Sequence, residues 1–292
     1  MKIAIINLHG LVKGSGLEIG RDADNGGQTK YVFELAEHLS VHKDVEQIYI
    51  FTRKIKDPEV SEEYGATVED INPKFQINRI EFGGFDYKKK ESLWEHLDEF
   101  VDNAIKYIKE NDLEIDWLHS HYGDAGYAAT QISIKLNIPF AHTGHSLGEA
   151  KKEKMIKSGM TEEQAEEKFK FKQRIDAEEG ALALSEFIVT STYLEIGDWE
   201  KYKNYDKAQF HVQPPGIDIE KFSPYYIQEF QEDEEYLKLQ RRYWVGQNIE
   251  KFLTNPNKPV ILALSRPDRR KNLHTLIEAY GEDKELQALA NL

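Results

Sequence analysis

The chain is predicted to fold as an α/β protein with a parallel sheet, and three features of its sequence predict this. Short apolar runs alternate with stretches of helical periodicity from the first residues onward. The first run leads into Gly20-Arg21-Asp22-Ala23-Asp24-Asn25-Gly26-Gly27-Gln28-Thr29-Lys30-Tyr31-Val32, a glycine-containing turn that opens a helix. The unusual residues, histidines above all, fall just after successive strand candidates, where open sheets of this kind bind ligands.

Taken in order, Ile3–Leu8 is a buried strand, and Thr29–Ser40 a helix carrying Val32, Leu35, Ala36 and Leu39 on one face. Gln47–Thr52 and Ile77–Phe82 are strands. Ser92–Lys109 is a strong amphipathic helix, with Leu93, Leu97, Phe100, Val101, Ala104, Ile105 and Ile108 together. Ile115–Ser120 is a strand, Ala125–Leu136 a helix and Pro139–Thr143 a strand. Thr161–Leu184 reads as one long charged helix with Thr161 at its cap. Glu186–Ser191 and Phe210–Gln213 are further strands. Pro214-Pro215 removes two donors and ends the domain. Gln228–Phe252 is charged and helical in pattern. After a linker at Asn255–Pro259, the pattern restarts with a strand at Val260–Leu264, a basic turn and a helix at Leu273–Tyr280. One such unit cannot bury its own apolar face, so it reads as the start of a second, incomplete domain.

A chain of 292 residues holds one large domain or two. With no cysteine, disulfides and thiolate metal sites are excluded. A net charge of −14 argues against non-specific binding to nucleic acid or anionic membrane, yet local cations can still hold a small anion. No apolar run reaches the roughly 20 residues a membrane helix needs. The N-terminus turns polar too soon for a signal peptide, which predicts a cytoplasmic protein.

Several stretches could carry chemistry. Gly26-Gly27 before a helix lets a ligand approach free N–H groups at the positive end of the helix dipole, a setting that suits phosphate. The plainer reading is a strand-to-helix turn. His119-x-His121 and His142-x-x-His145 put four histidines near two strand ends. Zinc is disfavoured, because adjacent strand positions point to opposite faces and no cysteine joins them. A histidine bonding a substrate hydroxyl fits better, with His119 and His142 readable as satisfied core residues. Asp22-Ala23-Asp24 could hold a divalent cation on a diphosphate, but beside two glycines it reads rather as turn and cap. No metal is therefore expected. Of Lys88-Lys89-Lys90, two should be solvated. Lys151, Lys152 and Arg174 could close on one phosphate monoester if their loops converge. Arg266 and Lys271 flank the last turn as a diphosphate clamp or as a basic loop.

These residues together resemble the N-terminal catalytic segment of the sucrose-phosphate synthases. The resemblance runs from His9-Gly10-Leu11-Val12 and the glycine stretch through Lys90-Glu91-Ser92-Leu93-Trp94 and His119-Ser120-His121-Tyr122-Gly123-Asp124-Ala125-Gly126. It continues with Thr143-Gly144-His145-Ser146-Leu147-Gly148, Thr190-Ser191-Thr192-x-x-Glu195-Ile196 and Pro214-Pro215-Gly216, and resumes at Ser265-Arg266-x-Asp268-x-x-Lys271-Asn272. It implies a glycosyltransferase family 4 enzyme of the GT-B arrangement, with two Rossmann-like domains facing across a cleft. Residues 1–224 would be the acceptor domain, 225–258 a helical segment and linker, and 259–292 the first β-α unit of the nucleotide-sugar domain.

The reaction implied moves glucose from UDP-glucose to fructose 6-phosphate, with retention, giving sucrose 6-phosphate. It needs no cofactor and no metal. By the same resemblance, Gly26, Gly27, Gln28, Lys90, Tyr122, Ser146, Lys151 and Arg174 line the acceptor site. His145 contacts the transferred glucose, and Arg266 and Lys271 bind the donor diphosphate. The family's Glu-x7-Glu donor pair would lie beyond Leu292. Sucrose synthase differs after the histidine, where this chain keeps Gly144–Gly148 and Lys151. A bacterial branch joining mannose to fructose 6-phosphate stays open as an alternative, as does a non-catalytic sugar-phosphate-binding module.

Overall fold

A computed structural model describes residues 1–219, 222, 243, 246–265 and 269–292. Packing separates two compact units, Met1–Pro215 and Gly216–Leu292.

The first unit is built on an eight-stranded sheet. Its strands are β1 (Lys2–Ile6), β2 (Gln47–Arg53), β3 (Val68–Asn72), β4 (Phe75–Ile80), β5 (Trp117–His121), β6 (Phe140–Thr143), β7 (Phe187–Thr190) and β8 (Phe210–Val212). The order across the sheet is β3-β4-β2-β1-β5-β6-β7-β8. All pairings are parallel except β3 with β4. The helices are α1 (Gly27–Ser40), α2 (Leu97–Glu110), α3 (Gly123–Leu136), α4 (Gly148–Lys157), α5 (Glu162–Phe169), α6 (Phe171–Leu184) and α7 (Tyr193–Trp199).

The central strands are apolar on both faces, and their alternation sorts them into two cores. Ile3, Ile5, Ile48, Ile50, Phe75 and Ile77 pack with Val32, Phe33 and Ala36 of α1. Ala4, Ile6, Tyr49 and Phe51 pack with Phe100, Val101 and Ala104 of α2 and Ala125, Ala128 and Ala129 of α3. The chain goes from β1 to β2 on one side and to β5 on the other, so strand order reverses between β1 and β5. In open sheets of this kind ligands bind beyond the carboxyl ends of the strands at such a reversal, which here is flanked by the loops after β1 and β5.

Helices α4 and α7 were not expected, and other elements also differ from the sequence reading. The edge strand β3 was not expected. Its segment, Val-Glu-Asp-Ile-Asn, has an exposed valine and is polar at its centre, as an edge tolerates. The long helix Thr161–Leu184 is two helices, α5 and α6, parted where Lys170 turns left-handed at φ 52°. Thr161 does cap α5, in a capping box with Gln164. The helix predicted from Ser92 begins as 3-10 turns at Lys90–Ser92 and Trp94–His96 before α2. In the second unit, Val260–Leu264 is not a strand. Val260 makes one parallel bridge to Asn291, while Leu262 and Leu264 are exposed, since a strand without neighbours has no ladder to join. The expected helix at Leu273 is present as Leu273–Glu282 and is followed by Lys284–Leu289, capped by Asp283. The helix expected at 228–252 lies mostly outside the described residues. Among the described residues, no helix is long and apolar enough to cross a membrane.

Candidate functional site

The strand register brings one edge of the sheet into line. Ile6 pairs with Ser120, Ser120 with His142 and His142 with Ile188. The loops after β1, β5, β6 and β7 therefore leave the sheet together, and the predicted site residues of the first unit occupy these loops and the helices that follow, except Lys90, which lies in the segment after β4.

One group is cationic. Arg174 of α6 is 1% exposed. Its guanidinium lies 4.4 Å from the Tyr122 ring centroid and donates through Nη2 to the Ser146 carbonyl at 2.5 Å. Nε donates to Glu178 Oε1 at 2.8 Å. Glu178, also fully buried, accepts further from the Gly148 N–H at 2.9 Å and from the Tyr202 hydroxyl. Burial pushes the Glu178 carboxyl up, while the Arg174 charge and these donors pull against that shift, and Arg174 itself stays cationic. Lys151 of α4 lies 4.1 Å from the Phe169 ring and 3.7 Å from Glu91 Oε1. The Lys90 ammonium lies 3.6 Å from the same Glu91 oxygen and pairs with Asp24. Burial, then the nearby Arg174 charge, lowers Lys151 to about 8. Lys90 and Lys151 thus share Glu91, Arg174 holds Tyr122 and Ser146 directly, and the Arg174 charge acts on Lys151 through space. Of the other lysines in that run, Lys88 pairs with Asp86 and Lys89 is exposed.

Tyr122 sits at φ 78°, ψ 164°, a region that side chains avoid. It is pinned by its edge contact with His9, at 4.6 Å between centroids, and by the stacked Arg174. Burial pushes its phenol well up, so it remains neutral.

The second group is neutral. His121 Nδ1 and His145 Nε2 lie 2.9 Å apart. His119 bonds Thr143 at 2.8 Å, and its ring lies 4.2 Å from that of His121. His142 is buried with Nδ1 2.9 Å from Ser120 Oγ. Burial lowers His119 to about 4 and His142 to about 3 and holds His121 far below the ordinary imidazole value. Crowding by surrounding protein also depresses His145, but this residue keeps an exposed edge, so solvent limits the effect. His9 bonds Asp124 at 2.8 Å, both buried.

The glycine stretch joins the two groups. Asp22 accepts from the Asp24 and Asn25 N–H groups, the Asn25 amide and the Tyr87 hydroxyl, as a turn-forming aspartate does. Gly26 caps α1 in an extended conformation at φ −133°, with no side-chain bond. The left-handed freedom of glycine is used instead at Gly10, φ +80°. A Cβ at Gly27 would meet nothing within 4 Å, so the first turn of α1 opens onto free space. Gln28 donates to Asn7 Oδ1 at 2.7 Å. Lys271 belongs to the second unit, in a 3-10 turn at Arg269–Lys271, and Arg266 lies outside the described residues. Among the described residues, no cluster of three or more histidine or carboxylate side chains is arranged to hold a metal. A separate cavity of about 340 Å³, lined in part by Trp94, Asp98, Tyr127, Gln131 and Gln173, contains none of the predicted site residues.

Sequence reasoning missed the carboxylates that brace this site: Glu178, Glu91 and the pairing role of Asp24. The spacing Arg174-x3-Glu178 on one helix was the available signal.

The profile of Glycosyltransferase Family 4 matches residues 25–221. The chain belongs to glycosyltransferase family 4. Within it, the chain is 36% identical to a probable sucrose-phosphate synthase 2 of Arabidopsis thaliana, over 99% of its own length. It spans 32% of that relative, about a third of its length. In fold it is similar to a sucrose-phosphate synthase of Thermosynechococcus elongatus, with TM-score 0.68 and 23% identity over 97% of this chain and 60% of the other. It is also similar to HepE of Anabaena, solved in complex with UDP-glucose, with TM-score 0.53 and 12% identity over 99% of this chain and 59% of the other. The mixed α/β sheet described above is thus that of a GT-B glycosyltransferase.

Proposed function

We propose that this chain carries the acceptor half of a retaining glucosyltransferase that moves glucose from UDP-glucose to fructose 6-phosphate, giving sucrose 6-phosphate. The observation that carries the proposal is that Arg174, held against Tyr122 and Ser146, lies close enough to Lys151 to act on its charge, while Lys151 shares Glu91 with Lys90, within a chain of net charge −14. A concentrated cationic cluster in an acidic protein suits one phosphate monoester, which takes charge-assisted bonds from ammonium and guanidinium groups. Tyr122 and the Ser146 hydroxyl would orient the sugar ring. Gly26, Gly27 and Gln28 would bring the acceptor and the donor phosphates to the start of α1, where the N–H groups of the first turn face them. His145 would touch the transferred glucose.

Residues 1–224 would form the acceptor domain and 225–258 the connecting segment. Residues 259–292 would begin the nucleotide-sugar domain, with Arg266 and Lys271 on the donor diphosphate. In this reading catalysis consists of holding the acceptor hydroxyl in line and stabilising the leaving diphosphate.

Calorimetry with fructose 6-phosphate against fructose tests the acceptor assignment, with saturable binding expected for the phosphate ester alone. Equal affinity for both would overturn it. Incubation with UDP-glucose and fructose 6-phosphate tests transfer by the appearance of sucrose 6-phosphate. Phosphate binding without product would favour a sugar-phosphate-binding module.

A further inference from the structure

We infer that His121 is a positioning residue that holds His145 as the Nδ1–H tautomer, so that His145 offers a hydrogen-bond donor to the sugar. The inference rests on the proposed contact between His145 and the transferred glucose, but its structural part stands alone.

The argument is one of hydrogen-bond accounting. His121 Nδ1 and His145 Nε2 are 2.9 Å apart. Two neutral imidazoles share one hydrogen across such a contact, and either ring can supply it. If His145 donated from Nε2, His121 would carry its own hydrogen on its other nitrogen, Nε2. That atom is buried and has no hydrogen-bond partner among the described residues. A buried N–H without an acceptor costs more than an acceptor left unused. His119, whose ring lies face to face at a 39° tilt, bonds Thr143 with its Nε2. The arrangement with fewer buried orphan donors has His121 protonated on Nδ1 and donating. His145 then accepts at Nε2 and carries its hydrogen on Nδ1.

This is the reverse of the tautomer that a free neutral histidine side chain favours, so the protein has to impose it. Burial keeps the His121 ring neutral, and the titratable groups facing the pair are Tyr31 of α1, His119 of β5, His142 of β6 and His9 after β1. The left-handed backbone of His145, φ 55°, holds its ring against His121. Gln28 steadies the other side of His121 by reaching its carbonyl at 3.4 Å.

Nitrogen-15 NMR of the ring-labelled 292-residue chain at neutral pH tests this without any assay of transfer. With His145 assigned from the spectrum of His145→Ala, its Nδ1 is expected to be of the protonated type and its Nε2 of the bare type. The opposite pattern in the unmodified protein overturns the inference, whether or not the chain proves to be a transferase. His121→Asn places an amide N–H near the former Nδ1 and is expected to keep the pattern. His121→Phe, which removes the donor, is expected to return His145 to the Nε2–H form. A His145 tautomer unchanged in His121→Phe would also overturn it.

Discussion

Two regions share the carboxyl edge of one sheet and solve the problem of burying polar side chains in opposite ways. The cations around Arg174 stay charged because carboxylates brace them. His119, His121 and His142 shed their charge because no carboxylate braces them. Glu178 gives Arg174 a partner inside the protein, Glu91 lies beside Lys90 and Lys151, and buried Asp24 pairs with Lys90. By contrast, His119 and His142 meet hydroxyls, and His121 meets another imidazole. The difference lies in the neighbours, since burial alone opposes charge in both groups. It also divides the tasks open to them. The braced cations can meet a phosphate, while the neutral rings can hydrogen-bond a sugar without perturbing its field.

The sharpest way to break this comparison is to remove the brace. Glu178→Ala leaves Arg174 buried beside no carboxylate and strips acceptors from the Gly148 N–H and the Tyr202 hydroxyl. A loss of about 3–5 kcal/mol is expected in urea unfolding, as for other broken buried pairs. A loss below about 1 kcal/mol would mean that Arg174 does not depend on Glu178 for its burial.

The histidine side is tested by acid. The unfolded chain binds protons at imidazoles below pH 6.5, while buried His142 takes none until about pH 3. In that window the unfolded state holds more protons, so stability rises with pH and falls as the solution is acidified. At pH 5 the cost from His142 alone is about 2 kcal/mol relative to pH 8. Unfolding of His142→Phe should therefore lose less stability between these pH values than the parent does. Identical pH slopes would place the acid sensitivity elsewhere.

Much of this fold was legible, and the failures share a cause. The buried strands announce themselves as apolar runs because both faces are covered. The edge strand β3 and helix α4, Gly-Glu-Ala-Lys-Lys-Glu-Lys-Met-Ile-Lys, bury too little to leave a pattern. The break at Lys170 has no signal, since a left-handed lysine looks like any other. The site followed the same rule. Lysines, arginine and histidines after strand ends stand out by type, and their resemblance to a family added their order. Glu178 did not stand out, because a glutamate in a charged helix reads as surface until its helix is packed.

The two regions should also part in ligand binding. Lys151→Ala is expected to weaken fructose 6-phosphate binding by about tenfold, the lower end for a lost charge-assisted bond. Lys151 is lowered to about 8, so it is cationic at pH 7 and mostly neutral at pH 9. A phosphate monoester is already dianionic across that range. Affinity in the parent should fall from pH 7 to pH 9, and the fall should be absent in Lys151→Ala. Calorimetry at the two pH values decides it, and parallel curves would remove Lys151 from the phosphate.

The smallest effect on folding tests the loop that joins the regions. Gly27 begins α1 without a positive φ, and a Cβ there meets nothing within 4 Å. Alanine costs less backbone entropy and prefers the helix, so Gly27→Ala should raise stability by about 0.4–1 kcal/mol. Gly10 provides the control. Its φ is +80°, and a Cβ there would lie 2.8 Å from the Asp24 carbonyl oxygen, so Gly10→Ala should destabilise. A glycine that could be replaced with a gain in stability has to be explained by something other than folding. If the space before α1 is where acceptor and donor phosphates meet, the same methyl should intrude on them. Gly27→Ala would then melt higher and bind substrate more weakly. Unchanged binding in the stabilised variant would reduce Gly26-Gly27 to a turn.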